Sequence, residues 1–172
     1  NEIDYLIDVK SNKYQNKEIY SVDVFKDFYN YSGLLSTIKT NNRMVNTLAS
    51  IYAKENDLDN CVLINEKKGV VEVTNANIFV LKGNVLKTPA LTEGCIKGVI
   101  RRKVIEIIAK NTDYTLEETT ISPFEIQRAD EVFITNAIMG VQAITTYKKK
   151  KFKIDFSSKV SKSLKVLEFT SA

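Results

Sequence analysis

Residues 61–87 read CVLINEKKGVVEVTNANIFVLKGNVLK, and this stretch decides the fold. Short runs rich in β-branched residues alternate with polar turns, which is typical of strands joined in hairpins. The predicted strands cover residues 61–65, 70–74, 77–81 and 85–87. Gly69 is predicted to take a left-handed turn conformation in the first hairpin, and residues 82–84 form the turn of the second.

Helical patterns and further strands lie on both sides of these hairpins. The predicted helices cover residues 42–54, 98–110 and 158–169, and a short one begins at residue 122. In the first helix, apolar residues at i, i+4, i+7 and i+8 predict one buried stripe, formed by Met44, Leu48, Ile51 and Tyr52. The other predicted strands cover residues 3–9, 18–24, 115–121, 132–135 and 141–147. Because strands outnumber helices and hairpins alternate with long helices, we predict an α+β domain.

The composition excludes several classes of site and partner. The 172 residues include no histidine, which excludes Ser-His-Asp and Cys-His catalysis and histidine-based metal sites, so no metal is expected. The net charge of +4 is small, and the sequence shows no concentrated basic face of the kind that nucleic-acid-binding proteins have. No apolar run is long enough to span a membrane. Cys61 and Cys95 lack metal or redox spacing, which favours a reducing, cytoplasmic location.

A lysine and a glutamate stand in distinctive settings. Lys39 opens Lys-Thr-Asn-Asn-Arg just before a predicted helix, and Glu72 opens Glu-Val-Thr-Asn-Ala-Asn-Ile-Phe in the hairpin stretch. A lysine amine can form a Schiff base with the aldehyde of pyridoxal phosphate. A carboxylate can keep the pyridine nitrogen protonated, so that the ring withdraws electrons from the substrate. Either residue alone would be an ordinary surface group.

Several short motifs in one order strengthen this interpretation. They are residues 39–43, residues 72–79, Thr-Pro at 88–89, Gly-Val-Ile-Arg at 98–101 and Ala-Asp-Glu-Val-Phe-Ile-Thr-Asn-Ala at 129–137. In order and spacing they resemble the class IV aminotransferases, the family of branched-chain aminotransferases, D-amino acid aminotransferases and aminodeoxychorismate lyase. The resemblance extends from about residue 34 to about residue 147. It implies a mixed β-sheet or pseudo-barrel large domain with flanking helices, pyridoxal 5'-phosphate as cofactor, a small-molecule amino substrate and a homodimer.

The resemblance also implies roles for particular residues. Lys39 would be the catalytic Schiff-base lysine, and Glu72 the partner of the pyridine nitrogen. Val99 and Ile100 would bind the cofactor phosphate through backbone N–H groups at a helix start, and Ile96 would pack against the cofactor ring. The family often has a threonine where this chain has Ile100, so the phosphate would depend on backbone and other groups. The full cofactor-binding set implied is Lys39, Arg43, Glu72, Ile96, Val99, Ile100, Asn136 and Ala137.

Two segments favour a lyase over a transaminase. Arg43 stands near the point where branched-chain enzymes usually place a tyrosine, and Asn-Ala-Ile-Met at 136–139 resembles the lyase, where transaminases tend to carry glycine and threonine. Asn136 could hydrogen-bond a ligand, although an asparagine after a strand commonly forms a turn. The resemblance therefore favours aminodeoxychorismate lyase, which releases pyruvate and 4-aminobenzoate. The alternatives are a branched-chain or D-amino acid transaminase, or a catalytically incomplete scaffold.

The resemblance also implies a domain division. Residues 1–35 are predicted to be an interdomain connection and the start of the large domain, and residues 36–172 the large cofactor-binding domain. The small N-terminal domain of the family, which supplies an arginine to the cofactor phosphate, has no counterpart in the sequence. We therefore expect a fragment of a longer protein that is poorly active by itself.

Overall fold

The computed structural model describes residues 4–12 and 14–170, with side chains described up to residue 166. Over these residues the chain forms two five-stranded sheets and four α-helices. The first sheet contains β1 (Ser21–Val24), β2 (Asn60–Ile64), β3 (Val70–Val73), β9 (Thr146–Tyr147) and β10 (Lys150–Lys151). The second contains β4 (Asn77–Lys82), β5 (Val85–Pro89), β6 (Thr115–Thr119), β7 (Glu131–Asn136) and β8 (Gly140–Ile144). The helices are α1 (Met44–Glu55), α2 (Val99–Ala109), α3 (Pro123–Arg128) and α4 (Asp155–Thr170).

The strands are connected in a mixed topology. Their order is β10-β9-β1-β2-β3 in the first sheet and β6-β5-β4-β7-β8 in the second. β1 runs parallel to β2 and to β9, and β5 runs parallel to β6. The other neighbouring strands are antiparallel, which confirms the prediction of a mixed α+β domain.

Both predicted hairpins form, but the turn of the first differs from the prediction. Lys68, not Gly69, has the positive φ, at 66°. The side-chain oxygen of Asn65 accepts hydrogen bonds from the backbone N–H groups of Lys67 and Gly69 and so shapes the turn. Gly69 is needed for space, because a Cβ there would lie 2.9 Å from the Glu93 carboxylate.

Two predicted strands are wrong. The strand predicted over residues 141–147 is two strands in different sheets, because the chain passes from β8 to β9 at Thr145. The Thr145 N–H donates to the Tyr20 carbonyl, and the Thr145 hydroxyl accepts from the Tyr20 N–H. These bonds fix the point where the chain leaves one sheet for the other. Residues 4–9 form no strand, and Leu6 among them is 93% exposed. β-branched residues favour a strand only where a neighbouring strand can pair with it. Ile3, the first residue of that predicted strand, lies outside the described residues.

The core lies between the sheets and beneath the helices. Apolar residues from both sheets form one cluster, while α2 and α4 cover Phe79 and Phe133 on the other face of the second sheet. α1 packs on β2 through Ala49 and Ala53, and the predicted stripe is only half right: Leu48 and Tyr52 pack against this cluster, whereas Met44 and Ile51 are exposed. Met44 is 71% exposed, because small residues let the helix approach the strand closely.

The part of the chain that the structure describes contains no helix with the length and apolar character needed to cross a bilayer. Nor do the Cys, Asp and Glu side chains of the described residues form a group that could hold a metal ion.

Candidate active site

A cavity of about 290 Å³ opens where β3 and β7 end and where β4, α1 and α2 begin. Its walls include every site residue predicted from the sequence, namely Lys39, Arg43, Glu72, Ile96, Val99, Ile100, Asn136 and Ala137. The fold thus brings together residues that are up to 98 positions apart in the chain, from 39 to 137. Their individual roles depend on the geometry of each.

Glu72 is the buried acid of this cavity. It lies on β3, is 2% exposed, and its Oε2 accepts a hydrogen bond from the Ile96 N–H at 3.0 Å. Its Oε1 lies 3.6 Å from Nη2 of Arg43. Burial raises the pKa of the carboxyl to about 7, outweighing the Ile96 hydrogen bond and the charges of Arg43 and Lys39, which lower it. Glu72 is therefore not the exposed strand glutamate of the alternative interpretation.

Lys39 lies on the open side of the cavity. It belongs to the segment before α1, in which residues 34–37 form a turn. The Lys97 N–H donates to the Thr37 carbonyl at 3.1 Å and ties this segment to the start of α2. Among the described residues, no hydrogen bond or ion pair holds the Lys39 amine, although its charge acts on Glu72. The amine is thus available to a ligand in the cavity.

Arg43 links the lysine segment to β3. Its Nη2 donates to the Thr74 carbonyl at 3.1 Å, and the side-chain amide of Asn46 donates to the same oxygen at 2.8 Å. A cation at the start of a helix is unfavourable by itself, and the nearby Glu72 carboxylate offsets it. Arg43 therefore forms a wall of the cavity.

The corner between β3 and β4 is fixed by a residue that the sequence reasoning missed. Asn60 is 2% exposed, and its side-chain oxygen accepts hydrogen bonds from both the N–H and the hydroxyl of Thr74. Its side-chain amide donates to Asn75. Asparagine at the start of a strand was the available signal, since strands are poor in this residue.

The start of α2 is open to the cavity. Its N-cap, Gly98, provides no side chain, and no side-chain cap is found among the described residues. The first-turn N–H groups of Val99 and Ile100 can therefore serve an anion. Asn77, a second residue without a predicted role, donates from its amide to the Ile96 carbonyl at 2.8 Å. A Cβ on Gly98 would overlap its side-chain oxygen, so glycine is required here.

The end of β7 contributes the remaining wall. The Asn136 side-chain oxygen accepts from the N–H groups of Ile138 and Met139, and its amide donates to the Asn75 carbonyl. Asn136 thus forms the turn that commonly follows a strand. A hydrogen bond from Asn136 to a ligand remains a prediction. Ala137 is exposed beside it. Thr135, which was not predicted, also lines the cavity.

A second cavity of about 600 Å³ adjoins the first. Arg43, Glu72 and Ile96 line both cavities. The outer wall of the second consists of residues 29–36 and Ile38. The second cavity is therefore the larger one, and it lies on the other side of the Arg43–Glu72 pair.

The family model for amino-transferase class IV matches residues 4–147. The chain belongs to the class IV aminotransferase family. The family recognised from the motifs is thereby confirmed.

Individual class IV proteins resemble the chain in different parts. An aminodeoxychorismate lyase of Vibrio harveyi is 32% identical over 123 residues, which make up 72% of this chain and 45% of that protein. The mitochondrial branched-chain-amino-acid aminotransferase 1 of Arabidopsis thaliana is 44% identical over 77 residues, or 45% of this chain and 20% of that protein. The matched segments span less than half the length of these relatives.

A solved structure shows the same fold. The PLP form of the branched-chain amino acid aminotransferase from Thermobaculum terrenum superposes with a TM-score of 0.81 at 20% identity. The match covers 89% of this chain and 52% of that chain. The predicted class IV fold is therefore confirmed.

Proposed function

We propose that this chain is the cofactor-binding domain of a pyridoxal 5'-phosphate enzyme with the activity of an aminodeoxychorismate lyase. The observation that carries the proposal is the Glu72 carboxylate, buried in the same cavity that Lys39 lines. The pKa of this buried carboxyl stays at about 7 even with Arg43 beside it, so the group is only partly ionised at neutral pH. A further cation in the cavity would ionise it fully, and a protonated pyridine nitrogen would be such a cation.

The residues present fit this cofactor at three points. Glu72 offers the carboxylate for the ring nitrogen, and the uncapped start of α2 offers N–H groups for the phosphate. Lys39 offers an amine that no described residue engages by a hydrogen bond or ion pair. When bound, pyridoxal phosphate supplies an electron sink for the bonds at the substrate α-carbon. Lys39 would hold the cofactor and move the proton at that carbon.

Ion pairing would act in both directions between Glu72 and the ring. The positive ring nitrogen lowers the pKa of the Glu72 carboxyl, and the carboxylate in turn raises the pKa of the nitrogen. The Ile96 N–H keeps the carboxylate oriented, and Ile96 itself lines the cavity where it would contact the ring face.

Lyase activity is favoured over transamination by Arg43 and by the Asn-Ala-Ile-Met segment at 136–139. Both resemble the lyase, and the Arg43 guanidinium lies beside Glu72. An amino-acid transaminase is the second candidate, because the branched-chain-amino-acid aminotransferase of Arabidopsis thaliana is 44% identical over 77 residues.

The domain division, oligomer and location are proposed with the activity. We propose residues 1–35 as a connection and the start of the large domain, which is supported by β1 lying inside the first sheet. Residues 36–172 would form the rest of the large domain. As in the family, the working form would be a homodimer, and we expect it in the cytoplasm, making 4-aminobenzoate for folate synthesis.

Covalent labelling tests the proposal without requiring full activity. The protein would be incubated with pyridoxal phosphate, reduced with borohydride and mapped by mass spectrometry. We expect the label on Lys39. Lys97 is the matched control, since it is exposed and lines the same cavity. A label on Lys97, or none, would refute the proposal.

Product analysis then separates the two activities. The protein would be supplied with aminodeoxychorismate, and separately with an amino acid and a 2-oxo acid. Pyruvate and 4-aminobenzoate from the first mixture would identify the lyase. Exchange of the amino group in the second mixture, without those products from the first, would identify the transaminase.

A further inference from the structure

Thr135 has a buried hydroxyl with no hydrogen-bond partner among the described residues. The residue is 1% exposed and lies near the end of β7. A buried polar group without a partner lowers the stability of a protein, so such groups are rare unless they have another role. Thr88 shows the usual arrangement, because its equally buried hydroxyl donates to the Ile78 carbonyl at 2.9 Å.

The position of Thr135 relates this hydroxyl to the start of α2. Thr135 lines the same cavity as Val99 and Ile100. In the sheet it is paired with Asn77, whose side chain contacts Ile96 and abuts Gly98. Alternation along β7 also places Thr135 on the same face as Phe133, the face that α2 covers.

The start of α2 is suited to an anion but lacks a hydroxyl. The helix has eleven residues and no side-chain N-cap among the described residues, and its first turn carries no acidic residue. Ile100 offers only its backbone N–H. A neutral hydroxyl beside this turn would add a donor for a phosphate oxygen without adding charge.

We propose that the Thr135 hydroxyl donates a hydrogen bond to the cofactor phosphate bound at the start of α2. This inference rests on the proposed function and adds a residue to it. The phosphate would supply the partner that the hydroxyl lacks in the ligand-free chain. The unpaired hydroxyl is then a feature of the binding site, where local stability is given up for affinity.

Two substitutions separate the hydroxyl from the shape of the side chain. Thr135→Val removes the hydroxyl at nearly constant volume, and Thr135→Ser keeps it. Binding of pyridoxal phosphate, pyridoxal and inorganic phosphate would be measured by calorimetric titration of the full 172-residue chain and its variants. We expect Thr135→Val to bind pyridoxal phosphate roughly ten- to a hundredfold more weakly, with pyridoxal binding unchanged and Thr135→Ser close to wild type.

Thermal unfolding without ligand gives an independent readout. Thr135→Val should melt at the wild-type temperature or above it, because no hydrogen bond is lost. Thr88→Val, the matched control, should melt at a lower temperature, because its hydroxyl bond is lost. A lower melting temperature for Thr135→Val would show that the hydroxyl already has a partner and would overturn the inference.

The titrations distinguish failure of this inference from failure of the proposed function. Equal affinity of wild type and Thr135→Val for pyridoxal phosphate overturns the role of Thr135 and leaves the proposed function intact. An equal loss of pyridoxal and pyridoxal phosphate binding also overturns it, because the phosphate would not be involved. A wild-type chain that binds none of the three probes refutes both. Phosphate binding that depends on Thr135, without cofactor binding, refutes the proposed function and the inference with it, and leaves only an anion site beside Thr135.

Discussion

Replacing Glu72 with glutamine should make the ligand-free protein more stable at alkaline pH. Burial moves the pKa of the carboxyl from its ordinary value of 4.5 to about 7. Because the folded-state value is the higher one, the contribution to stability is fully present below about pH 4.5 and is lost as the pH rises through 7. The shift corresponds to about 3 kcal/mol of the free energy of unfolding.

Glu72→Gln removes this pH dependence because glutamine stays neutral while its oxygen can still accept from the Ile96 N–H. We expect the variant to be more stable than wild type by about 1–3 kcal/mol at pH 8 and nearly equal to it at pH 4.5. Urea unfolding followed by circular dichroism at several pH values would give the two free energies. Their difference isolates Glu72 from the other titrating groups.

A second buried glutamate is the matched control. Glu131 is 4% exposed, and its carboxylate accepts from the N–H groups of Phe156 and Ser157 at the start of α4. Glu131→Gln should therefore lower stability at pH 8, since the helix start loses a charged acceptor. If Glu72→Gln is also less stable than wild type at pH 8, the folded protein stabilises the ionised carboxylate without a ligand. The argument that Glu72 needs a further cation would then be wrong.

Two further predictions concern the lysine and the helix start. Lys39→Ala should abolish the visible absorbance band of the cofactor complex and the borohydride label, whereas Lys97→Ala should retain both; a band that survives in Lys39→Ala would exclude Lys39 as the attachment point. Gly98→Ala should lower the free energy of unfolding by about 1–3 kcal/mol, because the new methyl overlaps the Asn77 side chain. Gly33→Ala is its control, since the added methyl meets nothing within 4 Å; equal unfolding free energies of the two variants would contradict the overlap.

Local patterns predicted much of this fold. The hairpins and α2 were predicted because turn residues and periodicity act over a few positions. Glu72 and Lys39 could be paired because each lies in a distinctive motif. The resemblance to one family then connected motifs that no local pattern relates, and the structure places four of the five around one cavity, the exception being Thr-Pro at 88–89.

The errors arise where packing overrides local pattern. Met44 was predicted to be buried from helical spacing, but Ala49 and Ala53 form the face that contacts β2. Nothing in residues 141–147 indicates that Thr145 moves the chain into the other sheet. Thr135 could not be predicted either, because a missing partner becomes visible only when every neighbour of the hydroxyl is known.

One part of the cavity wall is a strand of a sheet, and another part is a loop. Glu72 lies on β3, all four residues of which are buried, whereas residues 29–36 line the adjoining cavity of about 600 Å³ without belonging to any sheet or α-helix. Surface loops tolerate changes of length and sequence that strands do not. Under the proposed function, changes in this loop would alter which molecules enter the cavity, while the Glu72 carboxylate on its strand stays fixed. New substrate preferences would then arise without a change at the proposed cofactor site.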